Sequence, residues 1–181
     1  MVLLRGFSRR PDWPTLADLY GLRGLAIADY PMYRGVAKLL GMEVLEVQAR
    51  LREKIAIARQ HWNDHDFFFL HIKATDSAGE DGDYDGKVAL IEEIDEHIPE
   101  LLDLAPDVLI VTGDHSTPSV LRSHSADPVP LVISAPHARP DAATRFGERS
   151  LVSGSLGPRL PATHILPIAL GLAGRFERLG A

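Results

Sequence analysis

Five side chains that could bind a metal ion lie in three short segments of this sequence, each near an apolar run. They are Asp76, Glu80, Asp114, His115 and His124. Carboxylate oxygens and neutral imidazole nitrogens suit hard-to-borderline divalent ions such as Mn²⁺, Mg²⁺ or Zn²⁺. Taken singly, Asp76 has an ordinary interpretation as a helix cap, but the adjacent pair Asp114-His115 at the end of a buried strand is costly unless something is bound. Together the three segments favour a metal centre.

Apolar runs predict the strands that position these residues. The runs lie at residues 2–4, 25–28, 67–72, 108–111 and 129–133. Helix-start signals and helical spacing of apolar residues predict helices at about 15–20, 31–40, 43–62, 88–98 and 163–172. Strands alternating with helices indicate an α/β fold with a mostly parallel sheet and helices on both faces. Ligands of such sheets bind at the carboxyl ends of the strands, where we expect the five candidate residues.

Other residues of the pattern are interpreted as structural. The segment Asp81-Gly82-Asp83 is typical of a turn. Gly79, Gly82 and Gly113 let the backbone fold tightly enough to aim the candidate ligands. The helix predicted at 43–62 carries its charges on the face opposite its apolar stripe, and we interpret this face as solvated. Its charged residues are Arg50, Arg52, Lys54 and Arg59.

The composition narrows the class of protein. The chain has 181 residues, of which 45% are apolar and 24% charged, with a net charge of −6 and no cysteine. It is therefore globular rather than disordered, without disulfides or thiolate metal sites, and unlike a general nucleic-acid binder, which would be basic. No stretch approaches the roughly 20 consecutive apolar residues of a membrane span, and the first residues do not resemble a signal peptide. We predict a cytoplasmic protein without membrane or nucleic-acid partners.

Two motifs resemble the metal motifs of the cofactor-independent phosphoglycerate mutases of the archaeal type, which belong to the alkaline phosphatase superfamily. They are segments 112–118, TGDHSTP, and 124–130, HSADPVP. Segments 3–8, 30–38, 76–83 and 154–157 also match, so the resemblance extends over nearly all of the chain. It implies an alkaline phosphatase-like metalloenzyme core and a site for two divalent ions.

The resemblance also implies how the ligands divide between the two ions. Asp114 and His115 would bind one ion, and Asp76 and His124 the other. Many relatives carry histidine where this chain has Glu80, a replacement that would keep a ligand, add a negative charge and favour harder metals. Mn²⁺ is the expected ion, with Mg²⁺, Zn²⁺ and Co²⁺ as alternatives.

Three cationic residues match positions that face the anionic substrate in this family. They are Arg5, Arg34 and Lys38. Phosphate and carboxylate groups need such cations, although a solvated surface is the alternative interpretation of Arg5 and Lys38. We therefore divide the chain into a substrate-facing segment at 1–42 and a metal-site segment at 63–175.

Members of this family use a serine nucleophile that becomes phosphorylated, and a further metal-binding aspartate, both in the N-terminal part of the family's sequence. None of the serines of this chain lies in the matching context. We expect residues 1–181 to be the C-terminal part of a longer, metal-dependent mutase that interconverts 3-phosphoglycerate and 2-phosphoglycerate. Alone the chain would be inactive, with its metalloenzyme core incomplete. Its partners would be the missing N-terminal part, a small phosphorylated substrate and, as an open question, a second copy.

Two other interpretations stay open at this point. The first is a sibling enzyme of the same superfamily, such as a phosphatase, a phosphonate-cleaving enzyme or a phosphopentomutase; the stretch 30–38 favours the mutase, because it matches that branch. The second is a non-catalytic module that binds metal or forms dimers. Restored activity on mixing with the missing segment would favour the enzyme.

Overall fold

The structure is a computed structural model that describes residues 9–47 and 49–176. The strand predicted at 2–4 and the predicted substrate residue Arg5 lie outside these described residues. The chain divides into two compact units, the first ending at Lys73 and the second beginning at Ala74. Within the described ranges, every helix is too short or too polar to cross a membrane.

The first unit is built on a three-stranded parallel sheet. Its strands are β1 (Gly24–Ala28), β2 (Glu43–Glu46) and β3 (Phe67–Leu70), in the order β2-β1-β3, and its helices are α1 (Leu16–Tyr20), α2 (Pro31–Leu39) and α3 (Leu51–Gln60). Ile27 of the central strand lies opposite Leu45 of β2 and Leu70 of β3. The central strand is wholly buried, and its Leu25 and Ile27 form a core with Ala58 of α3. The predicted α/β class and parallel sheet are confirmed.

Local signals set the ends of the first two helices. The hydroxyl of Thr15 accepts a hydrogen bond from the Asp18 N–H, and the Asp18 carboxylate accepts one from the Thr15 N–H, which forms a capping box at the start of α1. Pro31 opens α2, where the N–H that it lacks has no helical partner. Gly41 follows this helix with φ of 74°, a left-handed conformation that glycine adopts without strain. Both helices therefore lie within a residue of their predicted bounds.

The single helix predicted at 43–62 is wrong in its first part. Residues Glu43–Glu46 form strand β2, and α3 begins only at Leu51. Within β2, Leu45 pairs with β1 and packs against the core of Leu25 and Ile27. Pairing with the buried central strand satisfies the main chain of this short segment, and such tertiary pairing overrides local helical spacing.

The sequence predicts that Lys54 of α3 lies on a solvated helix face. This prediction is wrong, because Lys54 is fully buried. Its ammonium donates to Asp29 Oδ2 at 2.5 Å and to the main-chain carbonyl of His71. Asp29 and His71 directly follow β1 and β3, so the lysine closes the carboxyl edge of the sheet. An ammonium tolerates burial here because a carboxylate and a carbonyl replace its hydration. Its helix neighbours Arg52 and Arg59 are exposed, as predicted.

The second unit combines two packed helices with a two-stranded sheet. Its elements are α4 (Ala74–Asp81), α5 (Tyr84–Leu102), β4 (Leu109–Thr112), β5 (Leu131–Ser134), α6 (Glu148–Leu151) and α7 (Ile165–Leu172), with a 3-10 turn at Ala162–His164. Gly82 follows α4 with φ of 76°, and Asp83 caps α5 by accepting from the Gly86 N–H. These contacts confirm the turn predicted at 81–83 and set α4 beside α5.

The two strands of this unit pair antiparallel in a sheet of their own, whereas the alternation of strands and helices predicts a mostly parallel sheet. Thr112 at the end of β4 lies opposite Leu131 at the start of β5. A parallel return requires a crossover connection, usually a helix, and the connection at 113–130 contains no helix. It instead folds back through a bridge between Ser116 and Ser125. The end of one strand is therefore next to the start of the other.

Candidate metal centre

Asp76, His115 and His124 come together in the second unit. Asp76 lies in the first turn of α4, with 14% of its side chain exposed. Its Oδ1 is 3.9 Å from His115 Nδ1 and 3.7 Å from His124 Nε2, and the three residues offer ligand atoms within 4.8 Å of one another. Two ligands that are each about 2.1 Å from an ion lie at most about 4.2 Å apart. The distance from Asp76 Oδ1 to His124 Nε2 therefore fits a divalent ion shared by these two residues.

The connection between β4 and β5 brings the two histidines side by side. The Ser125 N–H donates to the Ser116 carbonyl at 3.0 Å, in an antiparallel bridge one residue from each histidine. The centroids of the His115 and His124 rings are 3.8 Å apart. From the sequence, we expect such convergence at the carboxyl ends of parallel strands. It arises here because the antiparallel pairing sets the end of β4 against the start of β5.

Glu80 and Asp114 lie at the rim of this cluster, and about half of each side chain is exposed. Glu80 is one helical turn beyond Asp76 on α4, so both carboxylates lie on one face of the helix. Its Oε1 is 3.8 Å from His124 Nε2. Asp114 Oδ2 is 3.4 Å from His115 Nε2. The five predicted ligands thus lie in one cluster with two groupings, Asp76 and Glu80 around His124, and Asp114 beside His115.

Thr117 connects the two groupings. It is buried, and its Oγ1 is 2.5 Å from Asp76 Oδ1 and 3.1 Å from His115 Nδ1. A hydroxyl has one proton to donate, and the carboxylate, which can only accept, receives it. His115 Nδ1 must therefore donate its own proton to the Thr117 oxygen. In the neutral ring this assignment leaves the lone pair on Nε2, the atom nearest Asp114.

Thr117 is held in place by both helices of the unit. Lys87 of α5 donates from Nζ to the Thr117 main-chain carbonyl at 2.6 Å. On α4, a methyl group at Gly79 would overlap that carbonyl and lie 3.0 Å from Thr117 Cγ2, so glycine is needed for this close approach. The role predicted for Gly113 is not needed, because a methyl group there would meet only ordinary van der Waals contacts.

The donor set of the cluster fits a divalent cation. Three carboxylates and two imidazoles converge, and these are the ligands that hard-to-borderline ions prefer. Like charges this close are unfavourable unless a cation compensates them. The residues that could hold such a cation are Asp76, Glu80 and His124 for one ion, and Asp114 and His115 for another.

The predicted substrate residues Arg34 and Lys38 lie on α2 in the first unit. Both pair with Glu46 at the end of β2, with Arg34 Nη1 3.9 Å from Oε2 and Lys38 Nζ 3.7 Å from Oε1. The Arg34 side chain is 20% exposed and that of Lys38 is 60% exposed. One carboxylate shared between two cations leaves donors of both for a further anion. Their role toward a substrate stays a prediction.

Three polar residues that organise the two units were missed by the sequence analysis. They are Lys54, Lys87 and Thr117. Thr117 lies within the quoted segment 112–118, so its position was available as a signal, but threonine is not a common metal ligand. The two lysines resemble ordinary solvated charges on helices. Each of the three makes its contact with a residue far away in the sequence, which no local pattern encodes.

A protein-family model described as the metalloenzyme superfamily matches residues 2–170. Two similar relatives are both named probable 2,3-bisphosphoglycerate-independent phosphoglycerate mutase. The one from Thermosipho africanus is 51% identical and the one from Aquifex aeolicus 48% identical, each over 99% of this chain. The chain spans 44% of the length of each relative.

Two solved structures resemble the fold. A protein from Pyrococcus horikoshii has a TM-score of 0.85 and 35% identity, over 93% of this chain and 54% of its own. The cofactor-independent phosphoglycerate mutase from Thermoplasma acidophilum has a TM-score of 0.74 and 31% identity, over 91% of this chain and 40% of its own. The two relatives found by sequence and the second of these structures are all named phosphoglycerate mutases.

Proposed function

This chain belongs to the metalloenzyme superfamily, and we propose that it supplies the metal-binding part of a 2,3-bisphosphoglycerate-independent phosphoglycerate mutase. The observation that carries the proposal is the cluster of Asp76, His115 and His124, in a chain about half identical to relatives of that name. The whole enzyme would interconvert 3-phosphoglycerate and 2-phosphoglycerate through a phosphoserine. We propose that it acts in the cytoplasm.

The cluster would hold two ions, with Mn²⁺ as the expected metal. Asp76, Glu80 and His124 would bind one, and Asp114 with Nε2 of His115 would bind the other. Bound ions would neutralise charge on the transferred phosphoryl group and make a serine hydroxyl more nucleophilic. Glu80 adds a carboxylate to the first set, so this set favours a harder ion than one with a second histidine would.

The cations of the first unit would bind the substrate's negative groups. The guanidinium of Arg34 presents a planar fork suited to a carboxylate or phosphate, and the ammonium of Lys38 acts as a point charge. Both are held near Glu46, which keeps them oriented while two cations share one carboxylate. Arg5, outside the described residues, would join them.

The nucleophile would come from a segment that this chain does not contain. None of its serines matches the family's nucleophile, and relatives of that name are more than twice as long. We propose that the chain works together with a segment equivalent to the part of those relatives that it does not span.

A chimera tests this function. This chain replaces the matching 44% of the Thermosipho africanus relative, and conversion of 3-phosphoglycerate is followed by coupling 2-phosphoglycerate to enolase. We expect Mn²⁺-dependent isomerisation, and its loss in the Asp76→Asn chimera. A folded chimera that binds Mn²⁺ but does not isomerise phosphoglycerate contradicts the proposal.

The same preparation separates the mutase from its sibling enzymes. A phosphatase would release inorganic phosphate from p-nitrophenyl phosphate or from phosphoglycerate, whereas a mutase returns the phosphoryl group to the glycerate. We expect phosphate release to be slow compared with isomerisation. Phosphate release as the dominant reaction would assign the chain to a phosphatase instead.

A further inference from the structure

We propose that Thr117 is a positioning residue of the metal centre. Its hydroxyl would hold the Asp76 carboxylate and the His115 imidazole in the orientation that leaves His115 Nε2 free to bind an ion. The inference rests on the proposed metal centre. It adds to that centre a residue that is not itself among the proposed ligands.

The hydroxyl of Thr117 is buried directly beside the Asp76 carboxylate. Thr117 is 4% exposed, so water does not compete effectively for its hydrogen bonds. Its proton goes to Oδ1 of Asp76, the same oxygen that faces His115 at 3.9 Å and His124 at 3.7 Å. A buried hydrogen bond to that oxygen restricts rotation of the carboxylate and keeps it directed toward both imidazoles.

The hydrogen bond between Thr117 and His115 has a fixed direction. Since the hydroxyl proton is given to Asp76, the Thr117 oxygen can only accept from His115 Nδ1. A ring turned over, or carrying its proton on Nε2, would lose this bond. Thr117 therefore selects one ring orientation and one tautomer, and the selected tautomer has its lone pair on the side of Asp114.

Contacts with both helices and with the neighbouring bridge hold Thr117 in place. Lys87 Nζ fixes its main-chain carbonyl at 2.6 Å, and α4 approaches so closely at Gly79 that no side chain fits between them. The bridge between Ser116 and Ser125 fixes the adjoining residues. A positioning group acts only if it is itself held, and this one is held from three directions.

Mn²⁺ affinity of the full chain tests the inference. Free Mn²⁺ is measured by its electron paramagnetic resonance signal in wild type, Thr117→Val and Thr117→Ser. We expect Thr117→Val, which keeps the branched shape but removes the hydroxyl, to bind Mn²⁺ about 10- to 100-fold more weakly. Thr117→Ser restores the hydroxyl and is expected to bind as wild type does. Lys87→Met, which loosens Thr117 without touching its hydroxyl, should show a smaller loss.

A second measurement does not depend on how the variants fold. Nitrogen-15 shifts of the His115 ring, recorded without metal at a pH where the ring is neutral, should show the proton on Nδ1 in wild type. A proton on Nε2 would overturn the inference, and so would wild-type Mn²⁺ affinity in Thr117→Val or a loss in Thr117→Ser as large as in Thr117→Val. Absence of Mn²⁺ binding in wild type would instead overturn the proposed metal centre, and with it this inference.

Discussion

Each unit of the molecule contains a shielded carboxylate, and the two are surrounded differently. Asp29 of the first unit pairs with the buried ammonium of Lys54 at 2.5 Å. Asp76 of the second unit receives a hydroxyl proton from Thr117 and faces two imidazoles at 3.7 and 3.9 Å. In the first case the cation belongs to the protein, and in the second the surrounding side chains are those that we propose as ligands of a bound cation.

The surroundings of the two carboxylates distinguish a structural charge cluster from a candidate functional one. A lysine tethered to its own helix satisfies a carboxylate permanently, and we expect that site to contribute to stability alone. Imidazoles and further carboxylates around an acid assemble a site whose stability depends on what is bound. Burial alone would not distinguish them, because only 25% of the Asp29 side chain and 14% of the Asp76 side chain is exposed.

The largest change in the free energy of unfolding is expected when Lys54 is replaced. Lys54→Met leaves Asp29 shielded from water without its cation, so we expect the free energy of unfolding to fall by about 3 kcal/mol. Urea denaturation of the full chain measures it. Arg52→Met, on the exposed face of the same helix, is the matched control and should change stability by less than about 0.5 kcal/mol. Equal losses of stability in Lys54→Met and Arg52→Met would show that the pair of Lys54 with Asp29 contributes no more to stability than an exposed charge does.

The second-largest effect is expected when Mn²⁺ is added, because we propose that the Asp76 cluster, unlike the pair of Asp29 with Lys54, binds a metal cation. At a free Mn²⁺ concentration of 100 times the Kd, the free energy of unfolding should rise by about 2.7 kcal/mol, because the ion binds only the folded site. A chelator should reverse the gain, and Asp76→Ala should remove the part of it that comes from the ion bound by Asp76, Glu80 and His124. Thermal melts with and without Mn²⁺ provide the measurement. A gain as large in Asp76→Ala as in wild type would show that Asp76 is not a ligand.

Glu80 allows a smaller and more selective change. Glu80→Gln removes one charge and weakens the ligand, so Mn²⁺ affinity should fall about tenfold, which is near 1.4 kcal/mol. Glu80→His, with the residue that many relatives carry, should retain binding and shift the preference from Mn²⁺ toward Zn²⁺. Calorimetric titration with each metal compares the variants. Unchanged affinity in Glu80→Gln would remove Glu80 from the ligand set.

The smallest effect concerns an exposed carboxylate in each unit. Hydrogen bonds from the Thr15 N–H and hydroxyl lower the pKa of Asp18, and those from the Ser155 and Ala143 N–H groups lower the pKa of Asp141, below the ordinary value of 3.8. Stability from a carboxylate with a lowered pKa is present above that ordinary value. It is lost as pH falls through the lower folded value.

We therefore expect Asp18→Asn and Asp141→Asn each to reduce the acid dependence of the melting temperature, in melts followed by circular dichroism between pH 2 and 6. Asp12→Asn, an exposed position with no such hydrogen bonds among the described contacts, serves as the control. Acid profiles identical to wild type in both variants would contradict the assignment.

Local chemistry made much of the fold predictable from sequence. The capping box at Thr15, the proline at Pro31 and the glycine at Gly41 depend only on neighbouring residues, and the helices that they bound lie where expected. The short strand β2 was missed because its pairing with β1 is a tertiary contact. The antiparallel pairing of β4 with β5 was missed for the same reason, since strand direction is decided by the connection and not by the runs themselves.

In the candidate site, too, local sequence features were predictable and tertiary contacts were not. Residue type and motif spacing made Asp76, His115 and His124 candidate ligands, because metal ligands come from a small set of side chains, and the structure brings the three together. The supporting Thr117 and the buried Lys54 were beyond the sequence argument. A threonine or a lysine has many ordinary uses, and only three-dimensional packing distinguishes these two from the rest.

Anomalous diffraction from crystals grown with Mn²⁺ would locate the bound ions themselves. The account predicts an anomalous peak about 2.0–2.3 Å from a carboxylate oxygen of Asp76 and a ring nitrogen of His124, with Glu80 completing the set. It predicts no peak beside Asp29, where Lys54 already supplies the positive charge. Mn²⁺ peaks that lie away from both Asp76 with His124 and Asp114 with His115, or no peak at a concentration far above the measured Kd, would contradict the proposed metal centre.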